Sequence, residues 1–218
     1  MLRSGFSLVL LGLAACAPVA PSGSLADGRT GTIHFATSSP TSVEFARGQR
    51  PEGTATISGE LTLPRGRSGP VPAVVLIHGS SGVGRNMPLW VGELTSIGVA
   101  AFVVDSFGGR GIRETATDQS RLSSGAMIVD AYRALELLAT HPAIDRERIA
   151  VMGFSKGGFV ALYSSLDRFQ RMWGPAGLRF AAHLPFYPSC NIQLYEDDKV
   201  TPRPIRIFHG EADNWTPI

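Results

Sequence analysis

Short apolar runs, repeated along the chain, constrain its fold more than any other feature. Residues 73–77, 99–105 and 148–154 are dominated by Val, Ala, Ile and Phe. Runs of this length and composition are typical of strands that are buried on both faces of a parallel sheet. Between them lie stretches with apolar residues at helical spacing, of which 124–139 is the clearest. This alternation predicts an α/β domain built on a doubly wound, mostly parallel sheet with helices on both faces.

Further elements continue this pattern before and after these runs. Residues 54–64 partly alternate apolar and polar positions, which predicts an early, half-exposed strand. Two later strands are expected within 178–187 and 204–210, and a helix around 159–166 follows the third apolar run. Sites in such sheets form at the carboxyl ends of the strands, so functional side chains are expected in the loops there.

The N-terminal residues have the composition of an export signal. Residues 1–15 combine Arg3 with an apolar run that ends in small residues, and a run of about ten is too short for a bilayer, which needs ~20. Leu13 to Cys16 resembles a bacterial lipobox, which implies a lipid anchor on Cys16 and a location on the periplasmic side of the membrane. Without lipidation the protein would be secreted or soluble in the periplasm. Residues 16–30 are expected to form a flexible tether, and 31–218 the domain.

Charge and cysteine content narrow the possible partners. The net charge is +2 and no long basic run is present, which argues against a nucleic-acid partner. With Cys16 assigned to lipid, Cys190 is alone in an exported chain. We therefore expect a free thiol at Cys190, or a partner outside this sequence.

A G-x-S-x-G pattern, GFSKG at residues 153–157, surrounds Ser155. A buried strand is predicted before it and a helix after it, which is the setting of a strained nucleophile turn. The flanking glycines permit the backbone conformation and the close packing that such a turn needs. Acyl transfer also needs backbone N–H groups directed at the developing oxyanion. We expect these from Lys156 and from Ser80, which lies in the loop after the first apolar run.

Several motifs together resemble the dienelactone hydrolase-like branch of the α/β-hydrolases. From about residue 59 onward the chain carries, in order, PAVVLIHGSSG, AFVVDSFGGRG, MGFSKGG, FYPSC and HGEADNWTP. The resemblance implies an α/β-hydrolase fold, hydrolysis of esters or lactones by a nucleophile–histidine–aspartate triad, and no metal or other cofactor. It also implies that Asp213 is the triad acid. The enzyme that names the family uses cysteine where this chain has Ser155, so dienelactone itself is not implied as the substrate.

Three charged or titratable side chains near the predicted site have competing interpretations. Arg110 could bind a substrate carboxylate with both arms of its guanidinium, although an exposed loop arginine is the simpler interpretation. Asp105 is expected to cap loop backbone rather than to act in catalysis. His78, at the end of a strand, is expected to have a structural role rather than to be the catalytic base.

The catalytic histidine expected of this family is missing from the sequence. In α/β-hydrolases the triad order is nucleophile, acid, histidine, and residues 214–218 contain no histidine. We therefore expect that the C-terminal part of the domain is missing and that the histidine lies beyond Ile218. Of the histidines present, His209 is the one plausible substitute. A serine without a base is a weak nucleophile, so the 218-residue form is expected to be nearly inactive.

The leading hypothesis is a serine hydrolase that acts on a small-molecule ester or lactone through an acyl-enzyme. A non-catalytic binding protein would keep the same scaffold after losing the base, and labelling of Ser155 by a serine-reactive phosphonate would distinguish the two. A serine peptidase of the prolyl oligopeptidase type shares the fold and the nucleophile turn. That branch usually carries a large extra N-terminal domain, for which this chain has no room.

Overall fold

The computed structural model describes residues 20–66 and 68–216, which form one mixed sheet and its helices. The strands are β1 (Gly31–Thr37), β2 (Ala55–Thr62), β3 (Val71–Ile77), β4 (Ala100–Asp105), β5 (Ile144–Phe154) and β6 (His183–Phe186). The helices are α1 (Ser42–Arg47), α2 (Asn86–Ser96), α3 (Ser124–Leu138), α4 (Lys156–Tyr163) and α5 (Asp167–Trp173), with 3₁₀ turns at Gly108–Arg110 and Gln119–Arg121. None of the helices in this part of the chain has the length and apolar character needed to cross a membrane. The predicted signal sequence (1–15) and Cys16 lie outside the described residues, so export and lipidation stay predictions.

The strands lie in the order β1–β2–β4–β3–β5–β6. β3 pairs in parallel with β4 and β5, and β6 pairs in parallel with β5, whereas β1 and β2 are antiparallel additions at one edge. The strand predicted at 204–210 is reduced to two parallel bridges to β6, from His183 to Ile205 and from Phe186 to Phe208. The predicted doubly wound, mostly parallel sheet is confirmed.

Both faces of the sheet are covered, because side chains of the central strands alternate between two apolar clusters. In β3, Val75 and Ile77 belong to a large cluster that includes most of the buried side chains of α3. Val74 and Leu76 belong to a second cluster, against which Trp90 of α2 packs. Apolar burial stabilises a fold by about 25 cal/mol per Å². The packing also aligns the carboxyl ends of β3, β4 and β5 at one edge of the sheet, where sites form in such folds.

Part of the segment predicted to be a tether packs against the domain. Residues 16–30 are predicted to be a flexible tether, yet Leu25 is fully buried in the large cluster. Its backbone N–H donates to Thr140 Oγ1 (2.7 Å), and the Ser22 N–H donates to the His34 carbonyl (2.6 Å). A single leucine within a Pro-, Gly- and Ser-rich segment forms no periodic pattern, so composition predicts only a spacer there.

His183, the first residue of β6, gives the fold a measurable pH dependence. Its side chain is buried, its Nδ1–H donates to the Ala161 carbonyl (2.9 Å), and burial lowers its pKa to about 4. In the unfolded chain His183 takes up a proton near pH 6.5, whereas in the folded chain its side chain stays neutral at that pH. The free energy of unfolding is therefore expected to fall as the pH drops from 6.5 toward 4, by about 1–2 kcal/mol between pH 7 and pH 5. Urea unfolding at the two pH values measures this.

The matched comparison is His183→Gln, which keeps a hydrogen-bond donor and removes the titration. This variant should lose less stability than the wild type over the same pH interval. An unchanged slope in His183→Gln would contradict the prediction.

Candidate active site

Ser155 occupies the turn between β5 and α4. β5 ends at Phe154 and α4 begins at Lys156, so a single residue connects strand and helix. Its backbone adopts φ 53° and ψ −115°, a conformation that costs a non-glycine residue about 1–3 kcal/mol. The turn is held by the Ser155 N–H, which donates to the Phe186 carbonyl (3.0 Å), and by the Phe159 N–H, which donates to the Ser155 carbonyl (2.9 Å). This is the geometry of a strained nucleophile turn.

Close backbone packing around this turn requires the two glycines of the motif. A Cβ atom on Gly153 would overlap with the Gly157 carbonyl oxygen, and a Cβ atom on Gly157 would overlap with the Ile77 carbonyl oxygen. No larger side chain fits at either position unless backbone moves. The glycines therefore bring the end of β3 directly against the first turn of α4.

The loop after β3 lies against the nucleophile turn and carries the second predicted oxyanion donor. A Cβ atom on Gly79 would be 3.1 Å from the Phe154 carbonyl oxygen and 3.5 Å from Ser155 Cβ. The next residue, Ser80, lines the same cavity as Ser155 and Lys156. Lys156 is the first residue of α4, where a backbone N–H has no partner within the helix. The structure thus brings Ser155, Ser80 and Lys156 together, as an oxyanion site requires.

The Lys156 side chain is buried and holds a neighbouring loop. Its Nζ donates to the Leu122 carbonyl (2.7 Å), to Gln119 Oε1 (3.1 Å) and to the Gln119 carbonyl (3.2 Å), with Thr115 Oγ1 at 3.4 Å. The Gln119 amide also donates to the Ser80 hydroxyl (3.0 Å). Burial lowers the pKa of Lys156 to about 8. This polar network connects both predicted oxyanion residues to the loop 115–122.

A cavity of about 620 Å³ opens over Ser155. Its polar lining side chains carry hydroxyl, amide or ammonium groups, and most of its apolar ones come from α1, α4, α5 and the segments after β6. The apolar group includes Phe45, Ala46, Phe159, Phe169, Ile192, Leu194 and Trp215, and the polar group is Ser42, Ser80, Gln119, Ser124, Ser155, Lys156, Ser189 and Thr216. An apolar cleft with a few convergent polar groups is the usual form of a small-molecule site.

Asp213, the predicted triad acid, belongs to a loop that reaches this cavity through Trp215 and Thr216. Its carboxylate accepts hydrogen bonds from the backbone N–H groups of Trp215 and Thr216 (2.9 Å each) and from the Thr216 hydroxyl (2.8 Å). These bonds, the Thr216 N–H first, lower the pKa of Asp213. The side chain is therefore an ionised carboxylate at neutral pH, as the orienting role in a triad requires. Its catalytic role stays a prediction.

The structure places Arg110 in a buried ion pair instead of in the cavity. Its Nη1 and Nη2 each donate to one carboxylate oxygen of Asp130 (2.8 Å each), and its Nε donates to the Ser39 hydroxyl (2.8 Å). The side chains of Arg110 and Asp130 are 6% and 0% exposed. Because both arms of the guanidinium are occupied, the geometry does not support the predicted binding of a substrate carboxylate. Nor is Arg110 the exposed loop arginine of the simpler interpretation.

Asp105 and His78 make the contacts expected of structural residues. Asp105 Oδ1 accepts from the backbone N–H groups of Phe107 and Gly108 (2.9 Å each) and so caps the loop after β4. His78 is fully buried, and burial lowers its pKa. Its Nδ1–H donates to the carbonyl of the next residue (2.8 Å) and its Nε2 accepts from the Ser106 N–H (3.2 Å). Both ring nitrogens are therefore engaged.

None of the histidines lines the cavity that the described residues form. His183 is buried in β6, His34 lies on the edge strand β1, and His141 follows α3. His209 lies close to Asp213, but within residues 20–66 and 68–216 its buried Nε2 has no hydrogen-bond partner. These residues include the predicted nucleophile, oxyanion donors and acid, but no histidine lines the cavity with them. In the same ranges no three His, Cys, Asp or Glu side chains are grouped as metal ligands would be.

Phe45 and Gln119 are among the cavity residues that lie outside every motif of the sequence. Phe45 is on the short helix α1, and Gln119 begins a 3₁₀ turn. The start of α1 did have a sequence signal, because Thr41 and Glu44 form a capping box. Gln119 had none, since its role depends on contacts with distant residues.

Comparisons with known proteins identify the fold and the family. A sequence model of the dienelactone hydrolase family matches residues 57–218. Esterase 2 of Thermogutta terrifontis, phosphoramylated by tabun, has a TM-score of 0.56 and 17% identity over 74% of this chain and 69% of that one. A structure named as a dienelactone hydrolase from Klebsiella pneumoniae has a TM-score of 0.58 and 17% identity over 86% and 76% of the two chains. A search of curated protein sequences found no match to this chain.

Proposed function

The chain belongs to the dienelactone hydrolase family, and from this premise we propose that it is a serine hydrolase acting on carboxylic ester or lactone bonds. The observation that carries the proposal is the strained backbone of Ser155, held at a strand–helix turn beside a cavity of about 620 Å³. Strain of this kind at a non-glycine residue is concentrated at functional sites. The name of the Thermogutta structure, an esterase phosphoramylated by tabun, supports the same chemistry.

In the proposed reaction, Ser155 Oγ attacks the carbonyl carbon of the substrate. The carbonyl oxygen becomes an oxyanion that accepts hydrogen bonds from the Lys156 and Ser80 N–H groups, and collapse expels the alcohol and leaves an acyl-enzyme. Water then attacks the acyl carbon and releases the acid and the free serine. Fixed donors stabilise the oxyanion without reorganisation. The Lys156 ammonium contributes indirectly, because it holds the loop next to Ser80.

The proposal requires a base that takes the proton of Ser155 and then gives it to the leaving alcohol oxygen. We assign this role to a histidine, which follows the acid in the triad order of α/β-hydrolases. The ionised Asp213 carboxylate would fix the tautomer and the orientation of that ring. His209 is the alternative within the described residues, since it lies close to Asp213 and has an unpartnered Nε2 there.

A fluorophosphonate probe tests the proposal, because such probes react with an activated serine and not with an ordinary hydroxyl. We expect stoichiometric labelling of the full-length protein, with the added mass on the peptide that contains Ser155. The Ser155→Ala variant should stay unlabelled, whereas Ser189→Ala, which removes another cavity hydroxyl, should be labelled like the wild type. A folded wild-type protein that resists labelling would overturn the proposal.

A non-catalytic binding protein is the second candidate. One observation favours it: within the described residues, no histidine lines the cavity. Such a protein would keep the cavity and bind small molecules without activating Ser155. Labelling separates the two candidates, because binding alone leaves the serine hydroxyl unreactive.

A further inference from the structure

Within residues 20–66 and 68–216, the cavity over Ser155 has no free positive charge. Among the described residues that line it, none carries a carboxylate and Lys156 is the one cation. An ammonium group has three protons, and Lys156 Nζ already has four acceptors within 3.4 Å, on Leu122, Gln119 and Thr115. No proton of this ammonium is left for a substrate.

Arg110, the other candidate for binding a carboxylate, is equally unavailable. Besides its two bonds to Asp130, it donates to the Ser106 carbonyl (2.7 Å) and to the Ser39 hydroxyl (2.8 Å). Any movement of the guanidinium toward the cavity would leave the Asp130 carboxylate buried and unpaired, which is strongly unfavourable. The ion pair therefore keeps this charge out of the cavity.

Aromatic side chains form much of the remaining wall. Phe45 and Phe169 contact each other with ring centroids 4.5 Å apart, and Phe159 contacts Tyr163 with centroids 4.1 Å apart. The three phenylalanines line the cavity, and Ile192 lies at its exposed side. An alkyl or aryl group placed against this wall is removed from water, which favours binding.

We propose that the site takes uncharged esters with an apolar acyl group and discriminates against acyl groups that end in a carboxylate. A carboxylate that enters the cavity loses hydration and meets no available cation on the described lining residues, whereas an alkyl chain of equal length packs on the phenylalanines. The expected preference in hydrolysis rates rests on the proposed hydrolase function, whereas the expected preference in binding does not.

The kinetic test compares two acyl groups of equal length in the full-length protein. p-Nitrophenyl hexanoate and the p-nitrophenyl monoester of adipic acid differ mainly in the charge at the far end of the chain. We expect kcat/KM to be at least tenfold higher for the hexanoate. Equal values, or a preference for the adipate monoester, would overturn the inference.

Binding keeps this test separate from the proposed function. The p-nitroanilides of the same two acids, added to the Ser155→Ala variant, can be followed by quenching of tryptophan fluorescence, since Trp215 lines the cavity. If the variant binds the hexanoyl anilide preferentially but the wild type hydrolyses neither ester, the inference is upheld and the proposed hydrolase function is not. If the wild type hydrolyses both esters equally, the hydrolase function is upheld and the inference is overturned. Binding of neither anilide would also overturn the inference.

A gain of function provides the third arm. Ile192 is 47% exposed, so Ile192→Arg can add the missing cation without disturbing the core. It should raise kcat/KM for the adipate monoester, relative to that for the hexanoate, about tenfold. Ile97→Arg is the matched control, because Ile97 is 73% exposed and follows α2 outside the cavity. If the two arginines have the same effect, or neither has any, the charge of the cavity does not set the preference.

Discussion

Replacement of Ser155 by alanine is expected to reduce kcat for ester hydrolysis by the full-length protein by about 10⁴-fold or more, with little change in substrate affinity. The change removes the atom that forms the acyl-enzyme and leaves the cavity and the oxyanion donors in place. In triad enzymes those remaining features alone accelerate hydrolysis by about 10³–10⁴ over water. Steady-state kinetics with a p-nitrophenyl ester and the dissociation constant of the matching p-nitroanilide measure the two effects separately.

Ser189→Ala is the control for this experiment, since it also removes a hydroxyl from the cavity but not the proposed nucleophile. It should keep most of the wild-type rate, and thermal unfolding should show that both variants are folded. If Ser155→Ala retained more than a tenth of the wild-type rate, or if both variants lost activity equally, hydrolysis would not depend on Ser155 as nucleophile.

The other large effect is on stability, and it concerns the buried ion pair. Asp130→Ala is expected to lower the free energy of unfolding by about 3–5 kcal/mol. The Asp130 carboxylate has no exposed surface and accepts from Arg110 at both oxygens and from the Thr37 hydroxyl (2.7 Å). Without it, the Arg110 guanidinium is buried and unpaired, while it still bonds the Ser106 and Ser38 carbonyls. Urea unfolding at neutral pH measures the loss.

A double variant distinguishes the unpaired charge from the loss of packing. Arg110→Met combined with Asp130→Leu removes both charges and should recover more than half of the stability lost in Asp130→Ala. Glu136→Ala, which breaks a largely exposed pair with Arg133, should cost less than about 1 kcal/mol. Equal losses in Asp130→Ala and Glu136→Ala would mean that burial of the first pair is not important for stability.

The central part of the fold could be predicted because strands buried on both faces contain little but apolar residues. β3, β4 and β5 lie where the apolar runs indicate, and α3 lies where the helical spacing does. The edges could not be predicted in the same way. Residues 204–210 have the composition of a buried strand, yet Ile207 is 52% exposed beside β6, because composition does not show which neighbours a strand will have.

At the site, local backbone could be predicted and long-range partners could not. The motif around Ser155 specifies a turn, and that turn also determines where the Lys156 N–H lies. The carboxylate of Asp130, 20 residues after Arg110, is in a helix whose apolar pattern shows no sign that one charged side chain will be buried. The contact of Gln119 with Ser80 likewise joins residues 39 positions apart, and no local pattern encodes it.

The backbone of Ser155 also has an evolutionary consequence. At φ 53° glycine would be less strained than serine, so a lineage with no use for the hydroxyl would gain stability from a substitution to glycine. Selection for stability and selection for chemistry therefore act in opposite directions at this codon. A descendant that abandoned acyl transfer and kept only the scaffold is expected to record the change first at this position.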